Sequence, residues 1–194
     1  MSEMTPATAW ASFAELRARC RTAPVVVDDV LPHLAPAMAR EILALAGREA
    51  STPSKNVGGW KSYEAVLGRA GAFAELRAIV VERFLRGREL SASWAMVNRA
   101  GSEHPRHQHR IALLSGVYYV AAGDPPVDTI FEVPAHIRLL VDGHPATTLD
   151  GLSLELRVAP RPGRLVFFDG ETWHRVPRYD GAEPRITIAF DVRR

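Results

Sequence analysis

Two histidines two positions apart, His107 and His109, stand immediately before an apolar run rich in aromatic and β-branched residues. Because side chains two apart on a strand point to the same face, we expect the two imidazoles to project together from one strand. A third histidine, His174, lies 65 residues after His109 in the segment FFDGETWHRV. Three imidazoles suit iron, zinc, nickel or copper. The spacing therefore predicts a metal site and leaves the identity of the metal open.

Arg185 and Thr187 stand two apart in the strand-like segment RITIAFDV and so share one face of it. A guanidinium and a hydroxyl buried in a closed barrel are costly without an anionic partner. Arginine binds a carboxylate through two parallel hydrogen bonds. A dicarboxylic cosubstrate, with one end on the metal and the other on Arg185, would explain both features. The alternative is a surface arginine on an edge strand, in a chain whose positive charge is almost all arginine.

The third metal ligand is open to two interpretations. A set of two histidines and one carboxylate would mark an Fe(II) oxygenase, and His109 occupies the usual carboxylate position. A cupin would add a glutamate a few residues after the histidine pair, but the following RIALLSG has none. Either His109 is itself the ligand, or one of three acidic residues supplies a carboxylate instead: Glu103, Asp169 or Glu171.

The other histidines carry a weaker signal. His104 precedes His107 by three positions in a segment interrupted by Pro105, so we expect it on a different face of the chain. It would support the metal ligands, face the substrate, or lie at the surface. Three isolated histidines are expected to be ordinary hydrogen-bonding residues: His33, His136 and His144.

The elements that must position these residues form a helical first half and a β-rich second half. Apolar spacing predicts three helices, and VVVDDV predicts a short strand between the first two. The predicted helices span residues 7–21, 34–49 and 70–86, and a polar loop spans 51–63. In the next strand, SASWAMVNRAG, Trp94, Met96 and Asn98 share one face while Ala95 and Val97 share the other.

Short β-like runs separated by turn residues follow this strand. They span residues 115–121, 129–133, 136–142, 152–158, 164–168 and 185–192. Helices first and strands afterwards predict an α+β domain in which helices support a β sandwich or barrel. The segment from Val133 to Val158 is either an insertion that covers the barrel mouth or a plain hairpin that extends the sheet.

Length and composition are those of an ordinary globular protein. The chain has 194 residues, 47% of them hydrophobic, which predicts one domain: residues 1–90 as mainly helical support and 91–194 as the β core with the metal site. A net charge of +2 gives no electrostatic reason to expect nucleic acid. Cys20 is the only cysteine, which excludes an intrachain disulfide and suits the cytoplasm. Neither a secretory signal nor a membrane-spanning run is found, so we expect a cytoplasmic protein without a membrane partner.

Four groups of residues also occur together in a familiar order. The chain resembles the small bacterial 2-oxoglutarate/Fe(II) oxygenases, whose members carry the loop N-V-G-G-W-x-S, a W-A-x-x-N strand, H-x-H followed by L-S-G-V-Y-Y, and a final H with R-I-S/T. The matching segments here are Asn56 to Ser62, Trp94 to Asn98, His107 to His109 with Leu114 to Tyr119, and His174 with Arg185 to Thr187. Their joint occurrence is far more specific than any one of them.

The resemblance implies a double-stranded β-helix, which is a jelly-roll or cupin-like barrel, supported by the N-terminal helices. It also implies a ligand set for Fe(II): His107, His109 and His174. Arg185 and Thr187 would bind the distal carboxylate of 2-oxoglutarate, with help from Tyr119. Asn98 and Trp94 would line the pocket of the cosubstrate or the substrate.

Three departures from the family pattern surround the same pocket. The family often has H-P-N-S where this chain has His109 to Ala112, Asn where Met96 stands, and F-N where Phe190-Asp191 stands. These differences bear on the substrate more than on the chemistry. Halogenating relatives place a small residue at the carboxylate position, and His109 is not small, so we expect hydroxylation.

The expected activity is hydroxylation of an unactivated C–H bond of a small molecule, an amino acid or a peptide, with Fe(II), 2-oxoglutarate and O2. Two other classes remain open. A cupin-type metal-dependent enzyme without 2-oxoglutarate would leave Arg185 without a role, and a non-catalytic barrel would bind a small anion and turn nothing over. A homodimer is one assembly that the sequence allows.

Overall fold

Two antiparallel sheets face each other, and three helices cover the outer face of the larger sheet. The structure is a computed structural model that describes residues 10–63, 65–134, 146–149 and 153–193. Its helices are α1 (Phe13–Cys20), α2 (Ala35–Arg48) and α3 (Ala72–Ala78), which continues as a π-helical stretch, Ile79–Phe84. Short 3-10 turns lie at Pro32–Leu34 and Val66–Gly68. In the described part of the chain, no helix is long and apolar enough to span a membrane.

The strands of the larger, six-stranded sheet run in the order β1-β9-β5-β11-β3-β2. They are β1 (Val25–Val27), β2 (Trp60–Lys61), β3 (Ala92–Asn98), β5 (Leu114–Ala121), β9 (Leu165–Phe168) and β11 (Arg185–Val192). The smaller, five-stranded sheet runs in the order β4-β10-β6-β8-β7. Its strands are β4 (Ser102–His107), β6 (Thr129–Pro134), β7 (Ala146–Leu149), β8 (Ser153–Val158) and β10 (His174–Tyr179).

Strand β11 shows how the larger sheet separates its two environments. Ile186, Ile188 and Phe190 belong to the apolar cluster beneath the helices. Because side chains alternate along a strand, the residues between them point toward the smaller sheet. The inward row therefore begins with Arg185 and ends with Asp191, and it places polar groups in the space between the sheets.

The predicted α+β class is confirmed, and so are the second and third helices to within about two residues. The prediction that the first helix spans 7–21 is wrong at its start, and residues 7–9 lie outside the described residues. Ser12 caps the helix, since its hydroxyl accepts a hydrogen bond from the Glu15 N–H. Trp10 therefore precedes the helix, and its buried ring packs on Phe84 and Phe167.

Two of the strands that the sequence analysis missed carry candidate metal ligands. Strands β4 and β10 have the sequences SEHPRH and HRVPRY, and each contains a proline and few apolar residues. Proline and charge obscure the alternation by which a strand is recognised. The region predicted as a loop, 51–63, also contains the two-residue strand β2.

The segment from Val133 to Val158 is described only in part. Strands β7 and β8 pair with each other and extend the smaller sheet beyond β6. The predicted strand 136–142, with His136, and the turn that holds His144 lie outside the described residues. Whether the segment covers the barrel mouth stays a prediction.

Candidate metal centre

Strand pairing brings two of the candidate ligands face to face. Strands β4 and β10 are antiparallel neighbours, and His107 lies directly opposite His174 in their register. Cβ atoms of such directly opposed residues lie about 5 Å apart. The two ring centroids are accordingly 4.1 Å apart. Two residues far apart in the sequence thus share one site through a backbone ladder.

His109 reaches the same site from a loop. The prediction that it shares a strand with His107 is wrong, because β4 ends at His107 and β5 begins only at Leu114. The His109 N–H donates to the Gly170 carbonyl at 2.9 Å. A Cβ on Gly170 would lie 2.7 Å from the His109 carbonyl oxygen and 2.1 Å from that of Ala112, so glycine permits this close approach.

The three imidazoles converge. Their ligand atoms all lie within 4.8 Å of one another. Among the described histidines, cysteines, aspartates and glutamates, this is the group that could hold a metal ion. The acidic alternatives, Glu103, Asp169 and Glu171, do not belong to it. The site therefore offers a metal ion three nitrogen ligands.

A hydrogen bond from Nδ1 fixes each ring. The acceptors are Pro105 O for His107 (2.8 Å), Thr172 O for His174 (3.0 Å) and Asp191 Oδ1 for His109 (2.8 Å). A carbonyl oxygen only accepts, so Nδ1 must carry the proton and Nε2 keeps its lone pair. Such outer hydrogen bonds are usual for metal-ligating histidines. All three rings are thus prepared to bind a metal through Nε2.

Burial keeps the imidazoles of His107 and His174 neutral, as metal ligands must be. Loss of hydration lowers the pKa of His107 to about 4, against the raising effect of its hydrogen bond to the Pro105 carbonyl. The pKa of His174 lies well below its ordinary value, first because of burial and then because of the other histidines. At His107 and His174, little proton competition with a metal is therefore expected near neutral pH.

His104 lies on the face that the sequence analysis excluded. Its ring stacks on His107, with centroids 3.9 Å apart and planes inclined by 17°. The reason is a β-bulge: His104 pairs with Val176 and His107 with His174, so three positions on β4 match two on β10. Burial and the neighbouring histidines lower the pKa of His104 to about 3. Because of the extra residue on β4, His104 and His107 line the same cavity although they are three positions apart in the sequence.

The candidate anion anchor is Arg185, which is only 2% exposed. Its Nη2 donates to the Thr129 hydroxyl at 2.9 Å, and its Nε has no hydrogen-bond partner. No carboxylate of the described residues lies within ion-pair distance of it. Burial lowers the pKa of this guanidinium. A buried cation without an anion is costly, so the pocket is suited to an anionic ligand.

Thr129 completes the anchor, and the sequence analysis missed it. Its hydroxyl oxygen accepts from Arg185 and also from the Tyr119 hydroxyl, at 2.6 Å. With both lone pairs engaged, the Thr129 O–H remains free to donate to a ligand. Tyr119 is fully buried behind Thr129, and its ring centroid lies 5.3 Å from the Arg185 guanidinium. Thr129 lies on β6 of the opposite sheet, so no local pattern pointed to it.

One cavity contains both the metal-binding and the anion-binding parts of the site. It is lined by the three candidate ligands with Arg185 and Thr129, and also by His104, Trp94, Met96, Asn98, Val117, Val176, Thr187 and Ala189. Trp94, Met96 and Asn98 share the inward face of β3, as predicted, while Ala95 and Val97 face the helices. Asn98 is held by Asn56: the Asn98 Nδ2 donates a hydrogen bond to the Asn56 Oδ1 at 2.9 Å.

A family model described as "Putative 2OG-Fe(II) oxygenase" matches residues 92–191. The chain belongs to this family. Fe(II) is the metal of this oxygenase and 2-oxoglutarate its cosubstrate, as the family implies. No curated protein sequence matches the chain.

Solved structures share the fold of this oxygenase. A Pseudomonas putida prolyl-4-hydroxylase is 20% identical, with a TM-score of 0.64 over 94% of this chain and 99% of that one. The epimerase SnoN from nogalamycin biosynthesis, in complex with Fe3+, alpha ketoglutarate and nogalamycin RO, is 18% identical (TM-score 0.67; 92% and 82% covered). HygX from Streptomyces hygroscopicus, with nickel and 2-oxoglutarate bound, is 14% identical (TM-score 0.62; 91% and 85% covered). The predicted double-stranded β-helix is confirmed.

A wider cleft of about 480 Å³ opens beside the metal-binding end of this oxygenase. It is lined by Trp94 and Trp173, with Gln108, His109 and Asp191, and with the charged residues Lys55 and Arg110. Trp94 lines both this cleft and the inner cavity. The cleft therefore gives a ligand in solution an approach to the metal ligands.

Proposed function

We propose that this oxygenase is a dioxygenase that hydroxylates an unactivated C–H bond of a small molecule, an amino acid or a peptide. When bound, Fe(II) with 2-oxoglutarate supplies O2 activation, in which 2-oxoglutarate becomes succinate and CO2 and one oxygen atom enters the substrate C–H bond. The observation that carries the proposal is the buried Arg185, which has no carboxylate partner among the described residues and shares a cavity with three converging imidazoles.

The proposed ligands of Fe(II) are His107, His109 and His174, each through Nε2. The hydrogen bonds of their Nδ1 atoms support this role, since they fix the ring orientation before the metal binds. Low pKa values keep His107 and His174 in the neutral form that binds a metal. Iron would therefore meet a site that needs little reorganisation or deprotonation.

Arg185 is the proposed partner of the distal carboxylate of 2-oxoglutarate. Its guanidinium would form a charge-assisted bond in a cavity from which water is largely excluded. Thr129 would donate its free O–H to the same carboxylate, and Tyr119 would hold Thr129 in place. Thr187 is the proposed second hydroxyl donor, since it lies on the same face of β11 and lines the cavity.

The substrate is proposed to enter through the cleft between Trp94 and Trp173. Indole rings supply large, rigid contact surfaces for a small organic body. Trp94 and Asn98 would orient the substrate or the cosubstrate at the inner end of the cleft. The complex of SnoN with nogalamycin RO is a small-molecule precedent in this fold.

We also propose that residues 1–194 form one domain. The helices and the larger sheet share a single apolar cluster, in which Trp10 and Met38 pack with Phe190 of β11. Helical support and the β core would then unfold together.

The proposal is tested by coupled turnover. Fe(II) and 2-oxoglutarate should together give a weak visible charge-transfer band without O2. On admission of O2, the correct candidate substrate should gain one oxygen atom as succinate forms. Arg185→Ala should abolish both signals. The matched control, Arg178→Ala, removes an exposed arginine that pairs with Asp180 and should retain them.

Other outcomes would identify the alternative functions. Consumption of O2 without succinate would indicate a cupin-type enzyme that needs no 2-oxoglutarate. Binding of a small anion that depends on Arg185, with no turnover of any candidate, would indicate a binding barrel. Either result would overturn the proposed hydroxylase.

A further inference from the structure

Asp191 is a buried carboxylate in contact with a proposed iron ligand. Its Oδ1 lies 2.8 Å from His109 Nδ1 and accepts from the Ser115 hydroxyl at 2.7 Å. Ser115 Oγ is also 3.0 Å from His109 Nδ1. Asp191 and Ser115 are directly opposite each other in the pairing of β11 with β5. The three side chains thus form one closed hydrogen-bonded triangle.

A cation beside His109 would stabilise the carboxylate of Asp191. The residue is 6% exposed, and among the described residues its ion-pair partner is His109. Lys55 and Arg110 line the same cleft but form no ion pair with it. Burying a carboxylate costs free energy unless an opposite charge compensates it. A metal ion on the far side of the His109 ring would provide that charge.

His109 differs from the other two proposed ligands in its acceptor. His107 and His174 donate from Nδ1 to neutral backbone carbonyls, whereas His109 donates to a carboxylate. A carboxylate acceptor raises the basicity of the imidazole and fixes its tautomer. The one anionic acceptor in the described site therefore supports the one ligand that stands in the usual carboxylate position.

Charge counting shows what this arrangement achieves. Fe(II) with two neutral histidines and a carboxylate carries a net charge of +1. With three neutral histidines it carries +2, and adding the charge of Asp191 behind His109 returns the sum to +1. The negative charge is thus kept, but it lies on a carboxylate that hydrogen-bonds the ligand His109 instead of binding the metal itself.

We propose that Asp191 is a positioning residue, which holds His109 with Nε2 toward iron and supplies the negative charge that a directly bound carboxylate would give. The inference rests on the proposed iron site. Ser115 orients Asp191 by donating to the same oxygen that accepts from His109. Asp191 also lines the proposed entry cleft, and its proposed role is exerted through His109 rather than through contact with iron, the cosubstrate or the reacting atoms.

The decisive variant is Asp191→Asn, which keeps the shape and an acceptor oxygen but removes the charge. In the presence of 2-oxoglutarate, we expect the variant to bind Fe(II) about 10- to 100-fold more weakly than the wild type does. Its Fe(III)/Fe(II) midpoint potential should rise, since Fe(III) loses more stabilisation than Fe(II). Each tenfold loss of Fe(III) affinity beyond the loss of Fe(II) affinity corresponds to a rise of about 59 mV in the midpoint potential.

Two controls separate this local effect from general ones. Glu155→Gln also removes one buried carboxylate, but Glu155 pairs with Arg157 and Arg175 rather than with a histidine. It should change neither the affinity nor the potential. Ser115→Ala keeps the Asp191 charge and should shift both quantities less than Asp191→Asn does. Unchanged affinity and potential in Asp191→Asn, or equal shifts in Glu155→Gln, would overturn the inference.

A measurement on the wild type keeps the inference testable if Asp191→Asn does not fold. In protein loaded with diamagnetic Zn(II) and labelled with 15N-histidine, His109 should show a protonated Nδ1 and a metal-bound Nε2. Its Nδ1 proton should resonate at lower field than those of His107 and His174, because its acceptor is charged. A His109 protonated at Nε2 would overturn the inference.

Failure of the iron site itself would look different. If wild-type protein binds no Fe(II), the proposed function fails. If the wild type binds Fe(II) while Asp191→Asn binds it equally well at an unchanged potential, only the role of Asp191 fails. Weakened binding at an unchanged potential would overturn the assigned charge effect.

Discussion

His107 and His174 lie directly opposite each other on paired strands, with ring centroids 4.1 Å apart. The backbone ladder of β4 and β10 fixes this distance, so the pair forms whether or not a metal binds. This half of the proposed iron site is therefore preformed.

Replacement of His174 by alanine should abolish stoichiometric Fe(II) binding, because two remaining imidazoles cannot complete a three-nitrogen site. Anaerobic titration followed by elemental analysis measures the loss. His104→Ala is the matched control. It removes a ring whose centroid lies 3.9 Å from that of His107 but which is not in the ligand group, so this variant should retain iron binding. Stoichiometric iron in the His174 variant would contradict the ligand assignment.

Replacement of Arg185 by methionine should have opposite effects on the free and the liganded protein. Without ligand, the variant should be as stable as the wild type or more stable, because it removes an uncompensated buried charge. It should also bind 2-oxoglutarate at least about 30-fold more weakly, the lower end expected for truncating a buried charge pair.

Thermal unfolding with and without 2-oxoglutarate measures both effects, since a ligand that binds only the folded state stabilises it by RT ln(1 + [L]/Kd). Arg178→Met, at an exposed position, should leave the ligand-induced stabilisation intact. An Arg185→Met protein that 2-oxoglutarate stabilises as strongly as the wild type would refute the anchor.

Replacement of Gly170 by alanine should weaken Fe(II) binding. Its Cβ would lie 2.1 Å from the Ala112 carbonyl oxygen and 2.7 Å from that of His109, and backbone atoms cannot turn aside as a side chain can. The loop that presents His109 must therefore shift, and we expect a loss of about 1–3 kcal/mol in unfolding free energy, as for overpacking.

Gly47→Ala is the control for the Gly170 variant. No atom of the described residues lies within 4 Å of a Cβ at Gly47, which belongs to α2, so alanine there should stabilise the protein by about 0.5–1 kcal/mol. Chemical denaturation and Fe(II) titration of both variants make the comparison. Wild-type iron affinity in Gly170→Ala would show that the loop tolerates a side chain.

The metal-free protein should lose stability as the pH falls below about 6.5. The pKa of His107 is about 4 in the folded protein and 6.5 in its ordinary state. Between these values the unfolded chain binds a proton that the folded protein excludes, so the free energy of unfolding decreases as the pH decreases. Above pH 6.5 the full stability is present.

Denaturant unfolding between pH 7.5 and 4 measures this slope. His107→Gln removes the group and should flatten the curve, although the other buried histidines still contribute. An identical slope in the variant would show that His107 is not protonated on unfolding in this range.

Much of this fold and site follows from local sequence pattern. Alternation along β11 predicted that Arg185 and Thr187 share a face, and the same alternation extends to Asp191, whose place beside the metal ligands could have been read from it. Alternation on β3 likewise predicted the inward face with Trp94 and Asn98. Such patterns are reliable because the two-residue period belongs to the strand itself.

The remaining features depended on contacts between distant segments. His104 faces the cavity only because a bulge in β4 shifts its register against β10. His109 reaches the site from a loop held by Gly170, and Thr129 meets Arg185 across the gap between two sheets.

The sequence by itself determined the kinds of group available: three imidazoles, an isolated arginine on a strand, and the motifs of an oxygenase family. The tertiary structure decided which nitrogen of each imidazole is free, which hydroxyl meets the guanidinium, and which carboxylate stands behind His109. Residue types and strand alternation are local properties of the chain, whereas register, bulges and sheet packing depend on segments that meet only when the chain has folded.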